Sequence, residues 1–151
     1  MRVLIILGSD SDIPQLEGTR KLLDQFKIPY DLVVASAHRK PKAVMQIATT
    51  AGSKYDVIIA AAGMAAHLPG VVASHTTLPV IGIPLESKAL GGFDALYSIV
   101  QMPPGVPVAS VAIGGSKNAA ILAAQILSIK YPKLKVALKA LKHKMSKGVK
   151  I

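Results

Sequence analysis

The chain has 151 residues, 51% of them hydrophobic, 4% aromatic and none cysteine; that length suits a single domain spanning 1–151, and the missing thiols exclude disulfides and cysteine metal sites. The formal net charge of +10 is unevenly placed, since residues 1–129 carry ten Lys and Arg against eight Asp and Glu, whereas residues 130–151 carry eight Lys and no acid. A basic tail on a nearly neutral body, with no Trp and few aromatics to stack on bases, argues against nucleic-acid binding as the main function.

The opening apolar run, Met1 to Leu7, is too short for a signal peptide or membrane span, so the expected setting is the cytoplasm. The high apolar fraction predicts surface buried between subunits. Arg2 to Leu7 reads as a buried strand, because Val-Leu-Ile-Ile-Leu is continuous rather than alternating, as in parallel sheets covered on both faces. Gly8 ends it, Ser9 to Asp12 supply capping side chains, Pro14 suits a first turn, and Leu16, Leu22, Leu23 and Phe26 mark a helix reaching Lys27. The unit repeats: Tyr30 to Ala35 forms a second strand, and Pro41 opens a helix carrying Val44, Ile47 and Ala48 that Gly52 is expected to stop. Tyr55 to Ala61 is the third strand, followed by a small-residue loop from Ala62 to Gly70 and a short helix from Val71 to Ser74. Pro79 to Ile83 is the fourth, followed by a helix from Phe93 to Val100; Val106 to Ile113 is the fifth, followed by a long helix from Asn118 to Ile129. The last segment puts Leu134, Leu138, Leu141 and Met145 on one face and most of its lysines on the other, a basic amphipathic helix expected to dock on the domain.

Strands alternating with helices imply an α/β fold, a parallel sheet with helices on both faces joined by right-handed crossovers. In the doubly wound order 2-1-3-4-5, the turns after strands one, two and three open onto the crevice where such sheets bind ligands. Gly8 to Asp12, Ser36 to Arg39 and Gly63 to Gly70 are therefore expected to converge. The first turn offers Ser9, Ser11 and free N–H groups to a phosphate, with Arg39 completing the cradle, although such residues serve equally as helix caps. Asp12 would repel phosphate and suits a ribose hydroxyl, and the Ala and Gly of the third turn let a planar ligand lie against backbone. Two histidines fall on this edge, His38 and His67, each reading either as a proton carrier or as a satisfied loop group; His75 and His143 fall off it. An FMN-binding module would need aromatics around the flavin, which the three turns lack. A receiver domain would need Asp where Ala61-Ala62-Gly63 stands, and the Gly-x-Ser-x-Gly and Gly-Lys-Ser/Thr motifs of hydrolases and nucleotide-triphosphate enzymes are absent.

Gly8-Ser9-Asp10-Ser11-Asp12, Ser36-Ala37-His38-Arg39, Ala65-Ala66-His67-Leu68-Pro69-Gly70 and Ser98-Ile99-Val100-Gln101-Met102-Pro103 resemble, in order and placement, four signatures of the 5-(carboxyamino)imidazole ribonucleotide mutase family. Asn118-Ala119-Ala120 and Ala123-Ala124-Gln125-Ile126-Leu127 extend the resemblance. It implies a flavodoxin-like subunit of a homo-octamer that acts in purine biosynthesis on a small ribonucleotide, with no cofactor, metal, nucleic acid or membrane. The implied reaction moves a carboxylate from the exocyclic nitrogen of an aminoimidazole ribonucleotide to C4, by decarboxylation and recarboxylation. His38 would be catalytic, since an imidazole with an ordinary pKa near ~6.5 exchanges a proton in either direction at neutral pH. Ser9, Ser11 and Arg39 would hold the phosphate, Asp12 the ribose, and Ser36 with the backbone from Gly63 through Ala65, Ala66 and His67 to Leu68 the base. His67 would lie near the migrating carboxylate, with Ala65 and Ala66 as a dry wall for carbon dioxide. A branch that carboxylates aminoimidazole ribonucleotide directly is less similar, because it typically has Lys where Arg39 stands and lacks the His67-Leu68-Pro69-Gly70 loop. Met64 stands where the mutase pattern has glycine.

Overall fold

The computed structural model describes residues 1–151. Val3–Leu7 (β1) is buried at every position, as an unbroken aliphatic run is when it lies mid-sheet with helices on both faces. It pairs in parallel with Tyr30–Val34 (β2) and Val57–Ala62 (β3), while Val80–Pro84 (β4) and Ala109–Ser110 (β5) complete a five-stranded sheet of order β2-β1-β3-β4-β5. This is the expected α/β, flavodoxin-like topology. The register sets Leu7 level with both Val34 and Ala61, and Ala61 level with Ile83. Four loops therefore leave the sheet from one line, spaced by about 4.8 Å per strand.

Six α-helices cover the strands: Glu17–Gln25 (α1), Pro41–Thr50 (α2), Leu68–Ser74 (α3), Phe93–Val100 (α4), Ser116–Lys130 (α5) and Lys133–Ser146 (α6). The pleat divides the core between two layers. Val3, Ile5, Leu7, Ile59 and Ile81 pack with residues of α1, α5 and α6, whereas Leu4, Ile6, Ile58 and Val80 pack with α2, α3 and α4 through Val44, Val72 and Ile99. Each fully buried Leu or Ile contributes about 1.5–3 kcal/mol. The basic helix α6 docks through Leu134 and Leu141, with Leu138 packed beside them, and its lysines are exposed as expected. Met145, in its last turn, does not join that face and is 43% exposed. No helix is long and apolar enough to cross a membrane.

Element boundaries differ from the sequence expectation where local chemistry intervenes. The first helix divides: Asp10–Leu16 winds as a 3-10 helix before α1, with Pro14 inside it unable to donate to an α-helical ladder. Ser9 caps that turn as expected, its hydroxyl accepting from the Ser11 N–H at 3.4 Å. Gly52 is not a left-handed stop; the chain runs on from α2 through a 3-10 turn, Ala51–Ser53. Helix α3 begins at Leu68 instead of Val71, because Pro69 falls in the first turn, where a missing N–H breaks no helical bond. Strand β5 shrinks from the expected Val106 to Ile113 to Ala109–Ser110. It is an edge strand with one neighbour, and Pro107 has no N–H to offer a ladder.

Close packing sets a testable limit behind β4. A Cβ on Gly82 would stand 2.5 Å from Ile99 Cγ2 and 3.0 Å from Val108 Cγ1, so α4 can lie this near the sheet only over glycine. Gly82→Ala should lower stability by about 1–3 kcal/mol in urea titrations; an unchanged midpoint would mean that α4 moves aside freely.

Candidate active site

The loops leaving β1, β2, β3 and β4 enclose a cavity of about 370 Å³, within the size range of small-ligand sites. The β1 loop contributes Ser9, Ser11 and Asp12, and the β2 loop Ser36, His38 and Arg39. The β3 loop adds Gly63, Ala65, His67 and Leu68. The three turns converge as their position in the sheet requires. Ala66 is the correction: it is 1% exposed and packs in the α2–α3–α4 layer, off the cavity. Of the expected alanine wall, only Ala65 is present.

Gly8, Ala37 and Met64 also line the cavity, as do Glu86 and Ser87 from the loop after β4. That fourth loop was missed by the sequence reading; the available signal was the strand order, which places the end of β4 beside that of β3. Met64 has a left-handed backbone, with φ of +54°, and a side chain 66% exposed. A β-carbon in that conformation is strained by roughly 1–2 kcal/mol, so the loop keeps a glycine-like turn while Met64 projects from its rim. His75 and His143 lie outside the cavity, as expected.

Arg39 bridges two loops. Its Nη2 donates to the Gly8 carbonyl at 2.9 Å, and its backbone N–H donates to Ser36 Oγ at 3.3 Å. Ser11 Oγ lies 2.8 Å from Ser9 Oγ and 3.4 Å from Asp12 Oδ1, so the first turn gathers two hydroxyls and a carboxylate beside the guanidinium. Burial raises the Asp12 carboxyl above its ordinary value, opposed by the Ser11 hydroxyl, the Ser9 backbone and the Arg39 charge, each of which favours the ionised form.

The two edge histidines are in contact. His38 Nε2 and His67 Nδ1 are 2.8 Å apart, with their rings edge to face at 79°. The contact requires an N–H on one ring and a lone pair on the other, so a single hydrogen bond joins the β2 and β3 loops. The Ser98 to Pro103 signature, by contrast, stays off the cavity. Ser98 Oγ donates to the Asp94 carbonyl at 2.7 Å, Ile99 is in the core, and Met102 Sδ packs against Gly70, 3.1 Å from where a Cβ would be. That segment secures α4 against α3.

A model of the AIR carboxylase family matches residues 2–148. The chain is 54% identical over 147 residues to the N5-carboxyaminoimidazole ribonucleotide mutase of Pyrococcus abyssi, covering 97% of this chain and 84% of that protein. It is 51% identical over 146 residues to the phosphoribosylaminoimidazole carboxylase of Schizosaccharomyces pombe, covering 96% of this chain and 26% of that protein. Among solved structures, PurE of Treponema denticola superposes with a TM-score of 0.87 at 29% identity, covering 97% of this chain and 92% of that one. The family match extends over every strand that holds the loops level and every loop that lines the cavity, and the chain belongs to the AIR carboxylase family.

Proposed function

We propose that this chain is an N5-carboxyaminoimidazole ribonucleotide mutase, an isomerase of purine biosynthesis whose proton is carried by His38. The observation that carries the reading is the 2.8 Å contact between His38 and His67 inside a cavity that also presents Ser9, Ser11 and Arg39: the same site sets a hydrogen-bonded imidazole pair beside an anion cradle. In the reaction, the exocyclic nitrogen takes a proton from His38 and releases carbon dioxide. C4 of the resulting aminoimidazole then attacks the carbon dioxide, and its ring proton returns to His38. Protons and electrons balance without a cofactor.

Arg39 and the two serine hydroxyls hold the phosphate, where charge-assisted hydrogen bonds are strongest. Asp12 accepts from the ribose, and Ser36 with the backbone of Gly63, Ala65, His67 and Leu68 seats the base. His67 holds the His38 ring and faces the migrating carboxylate, and Ala65 gives the carbon dioxide an apolar contact while Ala66 supports it from the core. Incubation with N5-carboxyaminoimidazole ribonucleotide in the absence of bicarbonate should yield the C4-carboxylated product. A second reading, direct carboxylation of aminoimidazole ribonucleotide, is favoured by the identity to the fission-yeast carboxylase. It requires product from aminoimidazole ribonucleotide plus bicarbonate and none from the carboxyamino compound.

We also propose a cytoplasmic homo-octamer. Phe93, Tyr97 and Val100 recur at helical spacing on α4 and are 58%, 63% and 49% exposed, with Leu90 nearby at 60%. An apolar stripe of this kind supports burial against another subunit. Light scattering should return the mass of an octamer; a monodisperse monomer at micromolar concentration would remove the proposal, and a tetramer would change its stoichiometry.

A further inference from the structure

The turn after β4 forms part of the cavity wall and has no task in the reaction described above. Glu86 and Ser87 line the cavity beside the other three loops, and the turn is held in place by backbone bonds. The Leu85 N–H donates to the Ala62 carbonyl at 3.0 Å, and the Gly91 N–H donates to the Ser87 carbonyl at 3.0 Å. Ser87 Oγ, however, is shielded from solvent and has no hydrogen-bond partner. Buried hydroxyls are ordinarily paired, and this one has no bond to lose when it turns.

Strand order locates the turn relative to a ligand. The anion cradle belongs to the β1 and β2 loops, and β4 lies two strands beyond β1, roughly 10 Å away. A ribonucleotide whose phosphate sits at Arg39 and whose base lies along the β3 loop reaches the β4 turn with the far edge of the base. We propose that Ser87 is a specificity residue of this site, its hydroxyl rotating about the Cα–Cβ bond to donate to the carboxylate carried at that edge. The adjacent Glu86 is matched to the neighbouring exocyclic amine, whose N–H groups a carboxylate accepts. A donor and an acceptor side by side thus read a carboxylate and an amine side by side on the ring.

The inference rests on the proposed ligand class, and the experiment separates the two. Titration calorimetry compares the C4-carboxylated ribonucleotide with aminoimidazole ribonucleotide, which lacks the carboxylate, on the wild type and on Ser87→Ala. The variant should bind the carboxylated ligand about ten- to a hundredfold more weakly and the uncarboxylated one unchanged. Its melting temperature should also be unchanged, since Ser87 Oγ makes no bond in the free protein. Equal affinity of both proteins for the carboxylated ligand overturns the inference alone. A matching loss for both ligands with a lowered melting temperature overturns it in favour of a structural role. A wild type that binds neither ribonucleotide overturns the proposed function, and the inference with it.

Discussion

His38→Asn should bind the ribonucleotide with near-normal affinity and lose isomerisation by about 10²–10⁴-fold or more, because one group serves both half-reactions. Asparagine keeps the size and the hydrogen-bonding capacity of the side chain but cannot carry a proton at neutral pH. The contact at 2.8 Å with His67 also makes the two histidines a pair, so the His67→Asn variant needs its own expectation. It keeps the His38 imidazole but loses the ring that aims it, so turnover should fall less steeply than in His38→Asn, with a larger share of the effect on substrate affinity. Product formation and calorimetric affinity, measured on both variants, separate these effects. Near-normal turnover in His38→Asn with none in His67→Asn would exchange the two roles.

Arg39→Ala should weaken ribonucleotide binding by on the order of 1.5–3 kcal/mol, roughly ten- to a hundredfold, the usual worth of a charge-assisted contact. Arg39 is exposed and outside both core layers, so the unfolding midpoint should move far less than the affinity. Its bond to the Gly8 carbonyl adds a second expectation. Arg39→Lys keeps the charge but not the planar fork that spans the Gly8 carbonyl and a phosphate together, so it should restore only part of the affinity. The substitution to alanine also removes a charge that favours ionised Asp12, so the Asp12 carboxyl should rise further above its ordinary value. The affinity loss should therefore be greater on the acid side, where Asp12 accepts less well from the ribose. Unchanged affinity at every pH would place the phosphate elsewhere.

Much of this was legible in the chain itself. The unbroken aliphatic runs of β1 and β3, each followed by a turn and a helical stripe, determined a parallel α/β sheet, because only strands covered on both faces are apolar at every position. The polar clusters Ser9 to Asp12 and Ser36 to Arg39 were recognisable as site loops because they follow directly on strand ends, and in this topology all strands end on the same side. Tertiary structure decided the rest. Hydrophobic periodicity states which face of an element is buried, but not how far a side chain on one loop stands from a side chain on another. The register that sets Leu7, Val34 and Ala61 level brings His38 to His67 across 29 residues of sequence. Just beyond the left-handed turn at Met64 two adjacent alanines part, Ala65 to the cavity and Ala66 to the core. The β4 turn carries no pattern that sets it apart from any other loop. It joins the site because β4 pairs beside β3, and pairing between strands is a property of the folded sheet.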